Sequence, residues 1–345
     1  MNLIENRVRL PKPRKKSSLG NRKEFDRKGY YMIGGLKRAS EMAIRLNKPL
    51  LITGEPGTGK TLLAQAVAAD LHAEDANFLP EPLVFTCQTT STSDDLFYTY
   101  DALTHFYAAH HNATGIAPNV MDYIYPAALG TAIALTNPAE VASQNFLGRC
   151  RNRDGKPLFR RCRDSVVLID EIDKAPRDFP NDLLYRIEQE WFEVKEGRYT
   201  VQRPVDAQHR IVLIITSNTE KMLPKPFLRR CLFYHIPFPS KEILVKIVKR
   251  QLNLDDGDKR LPSYERLVEH FEHIRKIGLK KKPGPAELVD WLRMLEVYGL
   301  IQSKGIDWSE LNETQRESLR LSYAALAKTK EDLDDIVEFV QRKAL

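Results

Sequence analysis

Cysteine is scarce, and long apolar runs are missing altogether. The four cysteines in 345 residues, Cys87, Cys150, Cys162 and Cys231, are scattered, with no C-x-x-C pair and no histidine at ligand spacing beside them. That pattern argues against a structural zinc site and against a disulfide frame. Nowhere does the chain approach the roughly 18–20 uninterrupted apolar residues of a membrane span. The N-terminal stretch MNLIENRVRLPKPRKK lacks the apolar centre of a secretory signal. These features lead to the expectation of a cytoplasmic protein with no membrane partner. Repeats with a period of 20–50 residues are also absent, which excludes a solenoid or a propeller.

Acidic excess is missing too: 53 Lys and Arg stand against 46 Asp and Glu. Residues 1–28 hold ten of the cations and only three acids, an excess of seven that equals that of the whole chain. The basicity therefore belongs to a tail, and the remaining body is balanced. Such an arm is a solvated extension or a contact for nucleic acid or another acidic partner.

What the chain does contain is an alternation of helical and apolar strand-like segments. Helical spacing runs from Ile33 to Leu46, followed by the short apolar run Pro49–Thr53 and a second helix from Lys60 to Leu71. Further strands are expected at Leu83–Cys87, Ser165–Asp170, Ile211–Thr216 and Cys231–Ile236. This order predicts an α/β protein with a parallel sheet covered on both faces. Beyond Pro237-Phe238-Pro239 the pattern becomes wholly helical. The expected organisation is a basic tail at 1–28, an α/β core at 29–237 and a helical domain at 238–345. Between Gln88 and Asp164 the pattern is irregular, with aromatics at Phe97–Tyr100, the pair His110-His111 and an arginine-rich segment at 149–163.

The chemistry concentrates at the ends of the apolar strands. Gly54-Glu55-Pro56-Gly57-Thr58-Gly59-Lys60-Thr61 fits G-x-x-x-x-G-K-[ST], directly after a strand and opening a helix. Glycines let successive N–H groups curl around phosphates, and the helix N-terminus adds partial positive charge. Lys60 is expected on the β- and γ-phosphates of ATP, and the Thr61 hydroxyl on Mg2+. Asp170-Glu171 ends the buried strand Val166–Ile169, where two carboxylates are costly unless a cation or substrate meets them. Asp170 suits Mg2+, and Glu171 suits a general base that polarises the attacking water. Asn218, after the strand Ile211–Thr216, offers both a donor and an acceptor to that water or to the γ-phosphate. Phosphoryl transfer also calls for positive charge from elsewhere, and Arg229 and Arg230 are the candidates.

In this order, GEPGTGKT, VVLIDEIDKAP, LIITSNTE and LPKPFLRRCLFYHIPFP resemble the AAA+ ATPases, and within them the MoxR-like group. The resemblance spans roughly residues 30–300. It implies a P-loop NTPase with a five-stranded parallel core and a C-terminal helical lid. It further implies ATP at a subunit interface, a self-assembled ring of hexameric type, and the remodelling of a protein client. In that group the client often carries a von Willebrand factor A domain. By the same likeness Asp170 and Glu171 form Walker B, Asn218 is sensor 1, and Arg230 is the finger offered to the next subunit, with Arg229 as second choice. A hairpin is expected within Trp191–Arg210, turning at Gly197-Arg198, and another insert within Gln88–Pro126. The lid departs from the family pattern, because Lys280–Leu288 offers no arginine at its helix start; Lys282 is the substitute. A nucleic-acid-linked motor or a defence or restriction ATPase subunit is the alternative, motivated by the tail and the arginine-rich segment.

Overall fold

Five apolar segments form one parallel sheet, its three central strands largely buried on both faces, as a sheet sandwiched between helices requires, and its two edge strands partly exposed. The computed structural model describes residues 30, 32, 34–111, 118–151, 154–218, 223–301 and 311–343; the basic tail at 1–28 lies outside them. In chain order the large strands are β1 (Leu50–Gly54), β2 (Leu83–Thr86), β5 (Ser165–Asp170), β8 (Ile211–Ser217) and β9 (Leu232–Ile236). Their spatial order is β2-β5-β8-β1-β9, and every pairing is parallel.

On one face α1 (Gly34–Arg45) and α2 (Lys60–Glu74) bury Leu36, Leu63 and Val67 against Ile52, Val166 and Ile214. On the other face lie α4 (Ala128–Leu135) and α6 (Phe179–Gln189), whose Ile133 and Leu183 pack with Leu51, Val167 and Ile215. Every residue of α4 is buried. Its sequence ALGTAIAL carries no polar face, so the helical period that betrays an amphipathic helix is absent.

Two small antiparallel pairs decorate this core. β3 (Tyr98–Tyr100) and β4 (Ile124–Pro126) enclose the exposed helix α3 (Ala102–His110) within the expected first insert. β6 (Trp191–Val194) and β7 (Tyr199–Gln202) form the second, with Arg198 in the left-handed region at the turn. The aromatics Phe97 and Tyr98 are buried, and Phe97 stacks on Phe192 of β6 at a centroid distance of 4.8 Å. His110 and His111 are exposed. All four cysteines are free thiols. Among the described residues no group of three or more His, Cys, Asp or Glu is placed to hold a metal. None of the described helices is long and apolar enough to cross a membrane.

After β9 the helices α8 (Lys241–Leu252), α9 (Leu261–Arg275), α10 (Pro285–Val297), α11 (Glu313–Ser322) and α12 (Lys330–Lys343) gather a core of their own. Trp291 of α10 stacks on Tyr323 and donates its indole N–H to Ser322 Oγ at 3.0 Å. Such a pairing lets a large ring be buried without an orphaned donor. α11 ends at Ser322 and tightens into a 3-10 turn over Tyr323–Ala325.

Candidate active site

In an open α/β sheet a ligand site forms beyond the C-terminal ends of the strands. Here that edge collects Gly54 of β1, Asp170 of β5 and Ser217 of β8. The Gly54–Thr61 loop turns from β1 into α2 through the positive φ values of Gly57 and Gly59. At Gly59 a side chain would also meet the Tyr30 ring, whose Cε2 stands 3.0 Å from the position of a Cβ. Lys60 is buried and folds back to donate to Gly54 O at 2.8 Å and Glu55 O at 3.1 Å. Burial lowers its pKa, opposed by the nearby charges of Asp173, Asp170 and Glu171. A lysine desolvated beside carboxylates is primed for a more highly charged anion.

The Thr61 hydroxyl donates to both oxygens of Asp170, at 3.2 and 3.0 Å. These are hard oxygen donors, side by side at a helix N-terminus. Mg2+ takes one or two protein ligands of this kind and keeps the rest of its shell for water and phosphate. The Thr216 hydroxyl donates to Asp170 Oδ1 at 2.5 Å and accepts from Glu171 N at 2.9 Å, which fixes the strand end. Glu171 sits in the left-handed region (φ 56°), and its carboxylate pairs with Lys174 at 2.5 Å. Asn218 stands at the end of β8.

The structure adds Asp173, which sequence reading passed over. Its Oδ1 accepts from Ser217 Oγ at 3.1 Å and from Asn218 N at 3.0 Å. One carboxylate thereby ties the turn after β5 to the end of β8. The signal was there to find: Asp173 lies two residues past Glu171, in the same acidic cluster.

Arg229 and Arg230 end α7 (Lys225–Arg230), away from this cluster. Both are exposed, and Arg230 Nε lies 3.3 Å from Glu188 Oε1 of α6. Within one chain they therefore lie outside the cluster.

The helical region closes the loop from the other side. A cavity of about 180 Å³ has Tyr30, Gly57 and Thr58 on one wall and Pro285, Val289 and Arg293 of α10 on the other. Arg250 of α8 donates to the backbone carbonyl of Tyr30 at 2.6 Å, so a lid helix anchors the chain at this residue. Lys282 is exposed, lies before α10 and is not part of that lining. The guanidinium groups nearest the loop come from elsewhere. Arg293 lies on the wall, and Arg275 at the end of α9 pairs with Glu55 at 2.9 Å while covering the Phe238 ring at 3.5 Å. Neither was legible as a nucleotide neighbour, because the expected arginine belongs at the helix start.

Known proteins agree with this geometry at the level of family. A family model described as an AAA domain of the dynein-related subfamily matches residues 49–231. No curated protein matches the chain. Among solved structures, the FIGL-1 AAA domain is 14% identical, covering 90% of this chain and 87% of that one, with a TM-score of 0.39. A RuvB mutant from Thermotoga maritima is 16% identical, covering 89% and 73%, with a TM-score of 0.42. NtrX from Brucella abortus in complex with ATP is 14% identical, covering 86% and 70%, with a TM-score of 0.37. With more than half of its residues under the family model, the chain belongs to the AAA+ ATPases, the P-loop proteins that bind and hydrolyse nucleotide.

Proposed function

We propose that this protein is a Mg2+-dependent ATP hydrolase of MoxR-like type that assembles into a ring, of hexameric type, and remodels a partner protein. The observation that carries the reading is the convergence of Lys60, Thr61, Asp170, Glu171 and Asn218 on the C-terminal ends of β1, β5 and β8. A phosphate loop alone would bind nucleotide; a loop joined to paired carboxylates and an amide is equipped to cut it.

The role of each residue follows from its chemistry. Loop N–H groups and Lys60 bind the phosphates, with the lysine leaving its two carbonyls to do so. Thr61 and Asp170 are the residues that would hold Mg2+, which supplies charge neutralisation when bound. Glu171 takes the proton of the attacking water once its pairing with Lys174 loosens. Asn218 orients that water. Arg230, or Arg229 beside it, reaches a neighbouring subunit's nucleotide from its exposed helix end. The α/β unit at 29–237 then works as the nucleotide-binding core and 238–345 as the lid. The client is a protein, of the kind that carries a von Willebrand factor A domain in this group.

ATPase rate per subunit against protein concentration tests the reading, with and without duplex DNA. A rate that climbs with concentration, ignores DNA and disappears in Glu171→Gln is the expected result. A concentration-independent rate removes the shared active site. Strong stimulation by DNA replaces the protein client with nucleic acid and turns attention to the basic tail.

A further inference from the structure

A second cavity lies at the opposite end of the sheet from the phosphate loop. Residues 79–83, which lead into β2, run beside residues 156–163, which lead into β5. A parallel bridge between Phe78 and Asp164 joins the two segments, and Leu79 N donates to Asp164 O at 2.9 Å. Between them opens a groove of about 770 Å³, within the size range of ligand clefts.

Its walls are unlike in character. Lys156, Arg160, Arg161 and Arg163 contribute four cations, against the single acid Glu81. Among the described residues neither Arg160 nor Arg161 forms an ion pair, and both are exposed. Arg163 spends its guanidinium on the carbonyl of Ala76 rather than on a carboxylate. Burial, together with the charge of Arg161, lowers its pKa. Two adjacent guanidinium groups, Arg160 and Arg161, without an ion pair among the described residues repel each other in the free protein, and an anionic ligand relieves that cost.

The remaining surface is apolar. Leu158 is 55% exposed, and Pro80, Pro82, Pro157 and Leu79 continue the lining. Phe159, the one ring in the lining, is buried. An unpaired base therefore finds no exposed aromatic face to stack on, which single-strand recognition relies upon. β2 is an edge strand, yet the prolines at 80 and 82 remove N–H donors at its entrance, so added strands pair poorly there. Side chains, not backbone, make the contact.

We propose that this groove binds an extended acidic segment of a partner protein, with carboxylates on Arg160 and Arg161 and an apolar side chain beside Leu158. The site is separate from the nucleotide cleft and does not depend on the function proposed above. It gives the chain a docking point on the edge of the sheet farthest from β9.

Fluorescence anisotropy on the full chain tests this, using a labelled ten-residue peptide of alternating Glu and Leu. The basic tail stays in place throughout, so its contribution is common to all variants. Arg160→Glu combined with Arg161→Glu is expected to weaken binding at least about tenfold. Leu158→Ser is expected to weaken it about threefold, and a Lys-Leu peptide is expected not to bind. Both arginines are exposed, so the variants should bind ATP and melt as the parent does; single Arg160→Ala and Arg161→Ala changes give smaller losses in the same direction. Unchanged peptide affinity in the reversal variant overturns the proposal and assigns binding to the tail. Duplex or single-stranded DNA that competes through the same arginines, and binds more tightly than the peptide, assigns the groove to nucleic acid instead. A shift in sedimentation in the reversal variant, with no peptide binding by the parent, assigns it to a second copy of the chain.

Discussion

The two ends of the sheet handle buried charge in opposite ways. At the C-terminal end Asp170, Glu171 and Asp173 gather with Lys60 and Lys174, and Lys60 rests on loop carbonyls rather than on an acid. At the N-terminal end Asp164, only 4% exposed, is saturated: His209 Nδ1 lies at 2.7 Å and Arg210 Nε at 2.8 Å. Arg210 then bridges onward to Asp75 and covers the Phe78 ring. The first cluster leaves its strongest cation without a permanent partner, as a site awaiting a ligand must. The second is closed on itself and contributes to holding the strands in register. Similar residues thus serve chemistry at one end and architecture at the other.

The sharpest way to break this comparison is to remove the unsatisfied cation. Lys60→Ala should lower steady-state ATP hydrolysis by about a thousandfold, since it deletes charge placed for the transition state. Glu171→Gln should lower it by at least about a hundredfold while a fluorescent ATP analogue still binds. Normal turnover in either variant would dissolve the distinction. At the other end, Asp164→Ala should cost about 2 kcal/mol in urea unfolding by deleting the buried carboxylate that ties His209 and Arg210 together, with activity per folded molecule retained. A selective loss of turnover there would show that the closed network is not merely architectural.

Finer effects sharpen the contrast. Asp173→Asn keeps the size of the tie to Ser217 and Asn218 but weakens it, so turnover should fall about tenfold with little change in unfolding midpoint. Smallest is a pH effect remote from both ends, at Glu140 of α5 (Pro138–Ser143). Burial raises its carboxyl pKa, opposed by the Tyr199 hydroxyl that bonds it, and its second oxygen is buried without a partner. The folded state thus prefers the neutral acid. Stability from this group is complete below its ordinary value of 4.5 and declines as pH rises through the folded pKa. Glu140→Gln should flatten that decline, by less than about 1 kcal/mol at neutral pH, in melts taken from pH 4 to 8.

Much of this was legible in the sequence because strand ends and their chemistry coincide. An apolar run followed at once by glycines, or by two carboxylates, marks both a strand and a site, which is why Lys60, Thr61, Asp170 and Glu171 could be placed in advance. Elements without contrast were invisible: α4 is buried all round and shows no polar face. The lid's contacts with the loop were illegible for a different reason. Arg275 reaches Glu55 across 220 positions of the chain, and Arg293 lines the cavity beside Gly57. Spatial neighbours made by packing two units leave no local pattern.

The fit between α10 and the phosphate loop has a mechanical consequence. A Cβ on Gly284 would stand 2.6 Å from Pro56 O, so the two backbones touch with no slack. Behind that contact the Trp291–Tyr323 stack is rigidly seated among the other helices. Loop and helical unit are thus joined backbone to backbone, so a shift of the phosphate loop at Pro56 presses directly on Gly284 at the start of α10.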